Sequence, residues 1–151
     1  MALTGESLGA GLKKRAKEYG TICQHIGLVI SICLAVIEFL FGRAMFSLFF
    51  REPHLLDMGE VIMRYIMVIV LLQISQVIFG ACLRAAGDVK YTLFASLISV
   101  ALIRSLTTYF LVGTFGLGLH GVWIGILSDQ AARFIFMSTR FRQGRWVDLK
   151  I

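Results

Sequence analysis

The chain has 151 residues, enough for one domain, and is 58% hydrophobic but only 16% charged, against about 25% charged in soluble domains. One proline, Pro53, and three cysteines without a CxxC spacing exclude a disordered tail, a collagen-like chain and a disulfide scaffold. The formal charge of +6 is spread between apolar runs instead of gathered in one patch, which argues for a membrane protein and against a nucleic-acid binder.

Residues 1–20 hold Lys13, Lys14, Arg15 and Lys17 and read as a polar, cytoplasmic segment leading into a helix. No small-residue cleavage site follows within a short apolar core, so the stretch is not a secretory signal peptide. Apolar runs then span 21–41, 61–83, 91–112 and 119–139. Each has the length of about 20 residues that a helix needs to cross the hydrocarbon core. None alternates as a barrel strand does. Only helices or closed barrels satisfy the backbone in lipid. The expectation is an all-α, polytopic membrane protein: a single domain over 1–151 with four transmembrane helices and a cytoplasmic tail at 140–151.

The connections differ in kind. Residues 43–60 read as the frayed end of the first helix followed by a short interfacial helix, with Phe46, Leu48, Phe49 and Phe50 before Pro53. Residues 85–88 read as a tight turn in which Gly87 takes a positive φ. Gly113, Gly116, Gly118 and Gly121 build the turn before the fourth span. Arg84, Lys90, Arg140, Arg142, Arg145 and Lys150 fall on the same side as the basic start of the chain. The other side has Arg51, with Arg43 and Arg64 near it, offset by Glu52, Asp57 and Glu60. By the positive-inside rule both termini are cytoplasmic, at the inner membrane.

Charges inside the spans mark the residues of interest: Glu38, Arg104, Asp129 and Arg133. An arginine at mid-helix costs about 3 kcal/mol on insertion scales, whereas each Leu, Ile, Phe or Val returns about 0.3–0.6 kcal/mol. Arg104 is therefore expected to face protein or water. Arg104 and Asp129 both lie about 14–15 Å below the outer surface by residue count, which allows an intramembrane pair between the third and fourth spans. Asp129 can instead pair with Arg133, four residues on, in the favoured acid-first order. The first reading of such a pair is structural; the second is a role in ion or substrate movement. Glu38 either meets Arg64, reaches headgroups, or serves as a proton-coupling carboxylate. Gln73 and Gln76 sit mid-span and are expected on the bundle interior, along a packed seam or a water-filled ion and substrate path. Gly121 and Gly125 form a GxxxG, a helix-packing pattern, and Trp146 reads as an interfacial anchor. Cys23, Cys33 and Cys82 read as packing residues. His25, His54 and His120 are scattered, so no metal site is expected, and no triad or phosphate loop points to an enzyme.

Five stretches together resemble the C-terminal third of multidrug and toxic compound extrusion (MATE) transporters. They are GESLGAG at 5–11 with Lys13, Lys14, Arg15 and Ala16; FGR at 41–43 with Leu48 and Phe49; GACLRAAGD at 80–88; GLGLHGVWIG at 116–125; and RFRQGRW at 140–146. The resemblance implies helices nine to twelve of a twelve-helix exporter, part of its C-terminal six-helix lobe. It implies expulsion of small organic cations in exchange for Na⁺ or H⁺ by alternating access, with no resident cofactor. It also implies partners: the lipid bilayer and the missing helices of the transporter or a partner chain. One branch of the family has an acidic cation-site residue at the position matching Gln73. An amide there does not titrate, which weakens cation coupling through this route.

On this reading the chain is a fragment that does not transport alone, because alternating access needs two bundles around a central site. Two other readings stand beside it. One is a self-contained four-helix dimeric drug exporter using Glu38. The other is a non-transporting membrane subunit that associates with other helices through Gly121 and Gly125.

Overall fold

The computed structural model describes residues 2–49 and 53–148. Arg51, Glu52 and Lys150 lie outside the described residues, as do the side chains of Phe46, Phe49, His54, Asp57 and Arg145. Every regular element among the described residues is helical. A short helix, α1 (Ala2–Gly9), precedes α2 (Lys13–Phe49) and α3 (Pro53–Ala85). Next come α4 (Val89–Thr114) and α5 (Gly118–Gln143), closed by a 3₁₀ turn at Arg145–Asp148. Helix α4 is α-helical to Ile98, then π-helical over Ser99–Arg104 and again over Phe110–Thr114.

The helices outrun their apolar cores. Most of residues 1–20, read from the sequence as a polar segment leading into a helix, is itself helical, in α1 and the first turns of α2. The Lys and Arg side chains there are good helix formers that stay exposed, while Ala16 and Gly20 turn inward. Among the described residues of 43–60 there is also no separate interfacial helix. Helix α2 runs on to Phe49 and α3 starts at Pro53, where the missing N–H of proline sits in the first turn without losing a bond.

Three helices, α2, α3 and α4, are long and apolar enough to cross a membrane. Helix α5 has 26 residues, but Asp129, Arg133, Arg140 and Arg142 interrupt its apolar character. The fourth span of the sequence reading is therefore a full-length helix of more polar make-up.

Cross-contacts give the order α2, α3, α5, α4 in space. Helices α2 and α3 are antiparallel, with Gly20 beside Cys82 and Gly42 beside Met63. Helices α3 and α5 run parallel, joined by Tyr65 to His120 near one end and Gln76 to Gln130 further along. Helix α4 lies antiparallel to α5 at the edge of the array. In α2 the buried positions are Ala16, Gly20, Gln24, Gly27, Ser31, Ala35 and Gly42. Three- and four-residue steps between small side chains put one narrow face against α3. A Cβ on Gly27 would fall on Ile78.

The tightest core is at the basic end. Ala16, Phe79, Cys82, Leu83, Ala86, Met137, Phe141, Trp146 and Val147 pack there from four elements. Trp146, expected at the lipid interface, is fully buried in this cluster. Gly144, at φ +71°, caps α5 in the left-handed region and turns the chain back. The indole then stacks on Phe141 at 5.1 Å and donates from Nε1 to the Phe141 carbonyl at 2.9 Å. Gly87 takes φ +83° in the α3–α4 turn. The next residue, Asp88, accepts from Arg140 Nε at 2.7 Å, and that guanidinium lies 4.8 Å above the Tyr91 ring.

Candidate functional site

The ionisable residues of the spans form two groups, one buried between helices and one open to a cleft, with Arg104 outside both. Helix α5 builds the first. Gly121, Gly125, Asp129, Met137 and Phe141 are all buried on one stripe, at the four-residue step that keeps one helix face. Gly121 faces Leu111 and Val112 of α4, and a Cβ on Gly125 would fall on Thr108 Oγ1. The two glycines thus bring the α4 and α5 backbones close, one and two turns from Asp129.

Asp129 is fully buried and its carboxylate is saturated. Arg133 donates from Nε to Oδ1 at 3.0 Å and from Nη2 to Oδ2. Ser99 Oγ lies 2.6 Å from Oδ1 and 2.9 Å from the Asp129 carbonyl oxygen. Of the two pairings open from sequence, the structure joins Asp129 to Arg133. Arg104 lies five residues beyond Ser99 on α4 and is exposed. A buried pair with its hydrogen bonds made holds geometry, because separating its charges leaves one of them buried without a partner. Its evident task is to clamp the π-helical start of Ser99–Arg104 onto α5.

The mid-span amides part company. Gln76 is buried and its Nε2 donates to Gln130 Oε1 at 3.2 Å. Gln73 is exposed, and lines a shallow apolar groove with Val70, Ile74, Val77 and Ile78. Within this chain Gln76 is buried and Gln73 lies on the neighbouring exposed flank of α3, about 60° around the helix. A third amide, Gln24, donates from Nε2 to Ser75 Oγ at 2.6 Å across the α2–α3 seam. Its Oε1 is buried without a hydrogen-bond partner.

The second group lies at the end of α2 and α3 away from the basic core. Glu38, Phe39, Gly42 and Arg43 of α2 face Glu60, Met63, Arg64 and Met67 of α3 around a cleft of about 240 Å³. Glu60 holds both arginines: Arg64 Nη2 is 3.1 Å from Oε1 and Arg43 Nη1 is 3.6 Å from Oε2. Glu38 is half-buried. Arg64 engages Glu60, four residues away on its own helix, and among the described residues Glu38 has no ion-pair partner. Helical proximity decides this, since Glu60 and Arg64 share a face of α3. Phe39, Met63 and Met67 give the cleft polarisable apolar walls.

Next to it, Met58, Val61, Ile62, Tyr65, Leu119, His120 and Trp123 line an apolar cleft of about 280 Å³ between α3 and α5. Tyr65 and His120 share a hydrogen bond of 3.3 Å there. Ser99, Gln130, Ser75 and the two methionines were not singled out from the sequence. Only their partners' burial reveals them. Among the described residues no three His, Cys, Asp or Glu side chains converge to hold a metal.

Comparison with known proteins adds a family to this geometry. The family model described as MatE matches residues 1–130. The chain is 28% identical over 145 residues to an uncharacterized transporter, YisQ, of Bacillus subtilis, covering 96% of this chain and 32% of that protein. It is 27% identical over 147 residues to a probable multidrug resistance protein, NorM, of Thermotoga maritima, covering 95% and 31%. Against the NorM of Bacillus subtilis it is 31% identical over 136 residues, covering 87% and 30%. The chain spans about a third of the length of the curated relatives it matches. No solved structure matches it.

Proposed function

The chain belongs to the MatE family, and on that premise we propose that it forms part of the membrane core of an exporter for small organic cations, driven by counterflow of Na⁺ or H⁺. The observation that carries the reading to a site is Glu38. It is a carboxylate without an ion-pair partner among the described residues, half-buried in a cleft walled by Phe39, Met63 and Met67. A carboxylate beside aromatic and thioether groups complements a lipophilic cation in both charge and surface. The four charges of the cleft, on Glu38, Glu60, Arg43 and Arg64, sum to zero. An arriving cation therefore meets no net repulsion from these four groups while Glu38 is ionised, whereas a proton on Glu38 leaves them at +1 and competes with it. One group that holds either a proton or the cargo is the smallest device that couples the two.

In this proposal α5 crosses the bilayer as a fourth span, because it packs along both α3 and α4. The basic ends of the helices face the cytoplasm at the inner membrane, by the charge bias of the loops. Gln73 on the exposed side of α3 lines a path without titrating. The wide exposed apolar surfaces of α2 and α4 favour work alongside further helices over work alone.

The test uses the purified full chain in lipid nanodiscs, with tetraphenylphosphonium as probe. Binding is expected, and Glu38→Gln is expected to weaken it by about tenfold, the loss of one modest charge interaction. Unchanged binding in Glu38→Gln overturns the site. Vesicles containing this chain alone are expected to show no net flux of the probe. Flux abolished by Glu38→Gln would instead favour a self-contained dimeric exporter.

A further inference from the structure

Arg104 stands exposed on α4, a helix long and apolar enough to cross a membrane. It is about 15 Å from the end at Thr114 and about 22 Å from the end at Val89 at 1.5 Å per residue. Neither interface is within easy reach of its side chain, so snorkelling does not hydrate the guanidinium. A charge at that depth is tolerated when it faces protein or a water-filled cavity and finds a counter-charge.

Among the described residues no such counter-charge meets it. The pairing of α4 with α5, Ser99 with Asp129 and Thr108 against Gly125, sets Arg104 between those levels. Asp129 is the carboxylate nearest in depth, and it is fully buried and engaged by Arg133 and Ser99. Glu38 lies opposite Met63 and Met67. Gln76 pairs with Gln130, so the level of Arg104 corresponds on α3 to about Gln73, about 12 Å further along that helix than the level of Glu38. A second copy related by an axis normal to the membrane presents the same carboxylates at the same depths. It therefore neutralises Arg104 no better than the first.

The surface around Arg104 is shaped for a helix. Ala101 and Ser105 flank it and are exposed, and small side chains let helix backbones approach closely. Leu97 and Val100, seven and four residues before Arg104, are exposed apolar neighbours on its side of the helix. We propose that this face of α4 docks a further membrane helix that carries a carboxylate at mid-depth, with Arg104 as its ion-pair partner. The proposal goes beyond the exporter reading and does not depend on the Glu38 cleft.

The test reconstitutes the full chain in phosphatidylcholine vesicles with a labelled synthetic leucine–alanine membrane helix bearing one central glutamate. Association is read by energy transfer and compared with the same helix bearing a central glutamine. The glutamate helix is expected to associate about tenfold more tightly, within the range of interhelical polar contacts in model peptides. Arg104→Leu, a change that raises apolar character and suits the helix, is expected to remove the preference. Lys90→Gln, at the basic end of the same helix, is expected to leave it. Equal association of the two helices overturns the proposal, as does a preference that survives Arg104→Leu. So does rapid labelling of R104C by a membrane-impermeant maleimide, with Cys23, Cys33 and Cys82 changed to alanine. Arg104 would then face a water-filled path instead of a helix.

Discussion

Ser99 of α4 shares its one hydroxyl proton between two oxygens of Asp129 of α5, lying 2.6 Å from the carboxylate and 2.9 Å from the main-chain carbonyl. The contact falls where α4 leaves α-helical for π-helical geometry. Single-turn π segments widen a helix and often coincide with functional positions. Here the widening begins at the residue that reaches across the seam.

Removing one member of the cluster should expose the cost of the rest. Asp129→Ala strands a partly buried guanidinium and is expected to destabilise by about 3–5 kcal/mol. Ser99→Ala removes one charge-assisted hydrogen bond and is expected to cost about 1.5–3 kcal/mol. The double change Asp129→Met with Arg133→Leu is expected to recover most of the loss. Thermal unfolding of the purified chain in detergent reads all three. Recovery no better than the sum of the single changes would show that the ion pair is not the unit.

Gly125→Val places a branched side chain on Thr108 Oγ1. Helices α4 and α5 must separate there, at an expected cost of about 1–3 kcal/mol for overpacking. Thr108→Gly in the same chain should restore part of the loss. The midpoint of unfolding checks both.

Trp146→Ala empties the centre of the basic-end core and is expected to cost about 3–5 kcal/mol. Trp146→Phe keeps the stacking on Phe141 and loses the 2.9 Å hydrogen bond, so it should cost less than half as much. Trp123 is then the remaining indole. The fluorescence lost on making Trp146→Phe should be the blue-shifted emission of a buried ring.

Arg140→Gln breaks the ion pair to Asp88, a residue only 8% exposed. Asp88 immediately precedes α4, and its carboxylate would be left with no guanidinium. The expected loss is about 1–3 kcal/mol. Amide exchange is expected to quicken over 86–92 before it quickens elsewhere in α4, a local opening that hydrogen-exchange mass spectrometry resolves.

The helices were legible because apolar runs of membrane length have few other readings. Their ends were not, since Lys13 to Lys17 and the stretch up to Phe49 propagate helix beyond the apolar core, where hydropathy falls silent. Counting residues placed Arg104 and Asp129 at one depth. Depth alone does not give azimuth, and Ser99 took the side of α4 that faces Asp129. The acid-first spacing of Asp129 and Arg133 was visible as an alternative because both lie on one helix. Glu38 was singled out by its charge, yet the cleft around it needs Met63 and Met67 from the neighbouring helix, which no spacing within α2 reveals. Trp146 misled for a local reason: Gly144 folds the chain back and carries the ring inward.

The dense core around Trp146 and the Asp88–Arg140 tie lie at one end of the array, and the two clefts lie between the opposite ends of the helices. Such an array is a cantilever, clamped at its basic end. A helix of 33 residues such as α3 extends about 50 Å, so a small rotation at the clamp becomes a wide excursion at the tip. Tightening the clamp and widening the clefts are therefore not opposed tasks: the stiffer the root, the more faithfully angular strain there is transmitted to the far side.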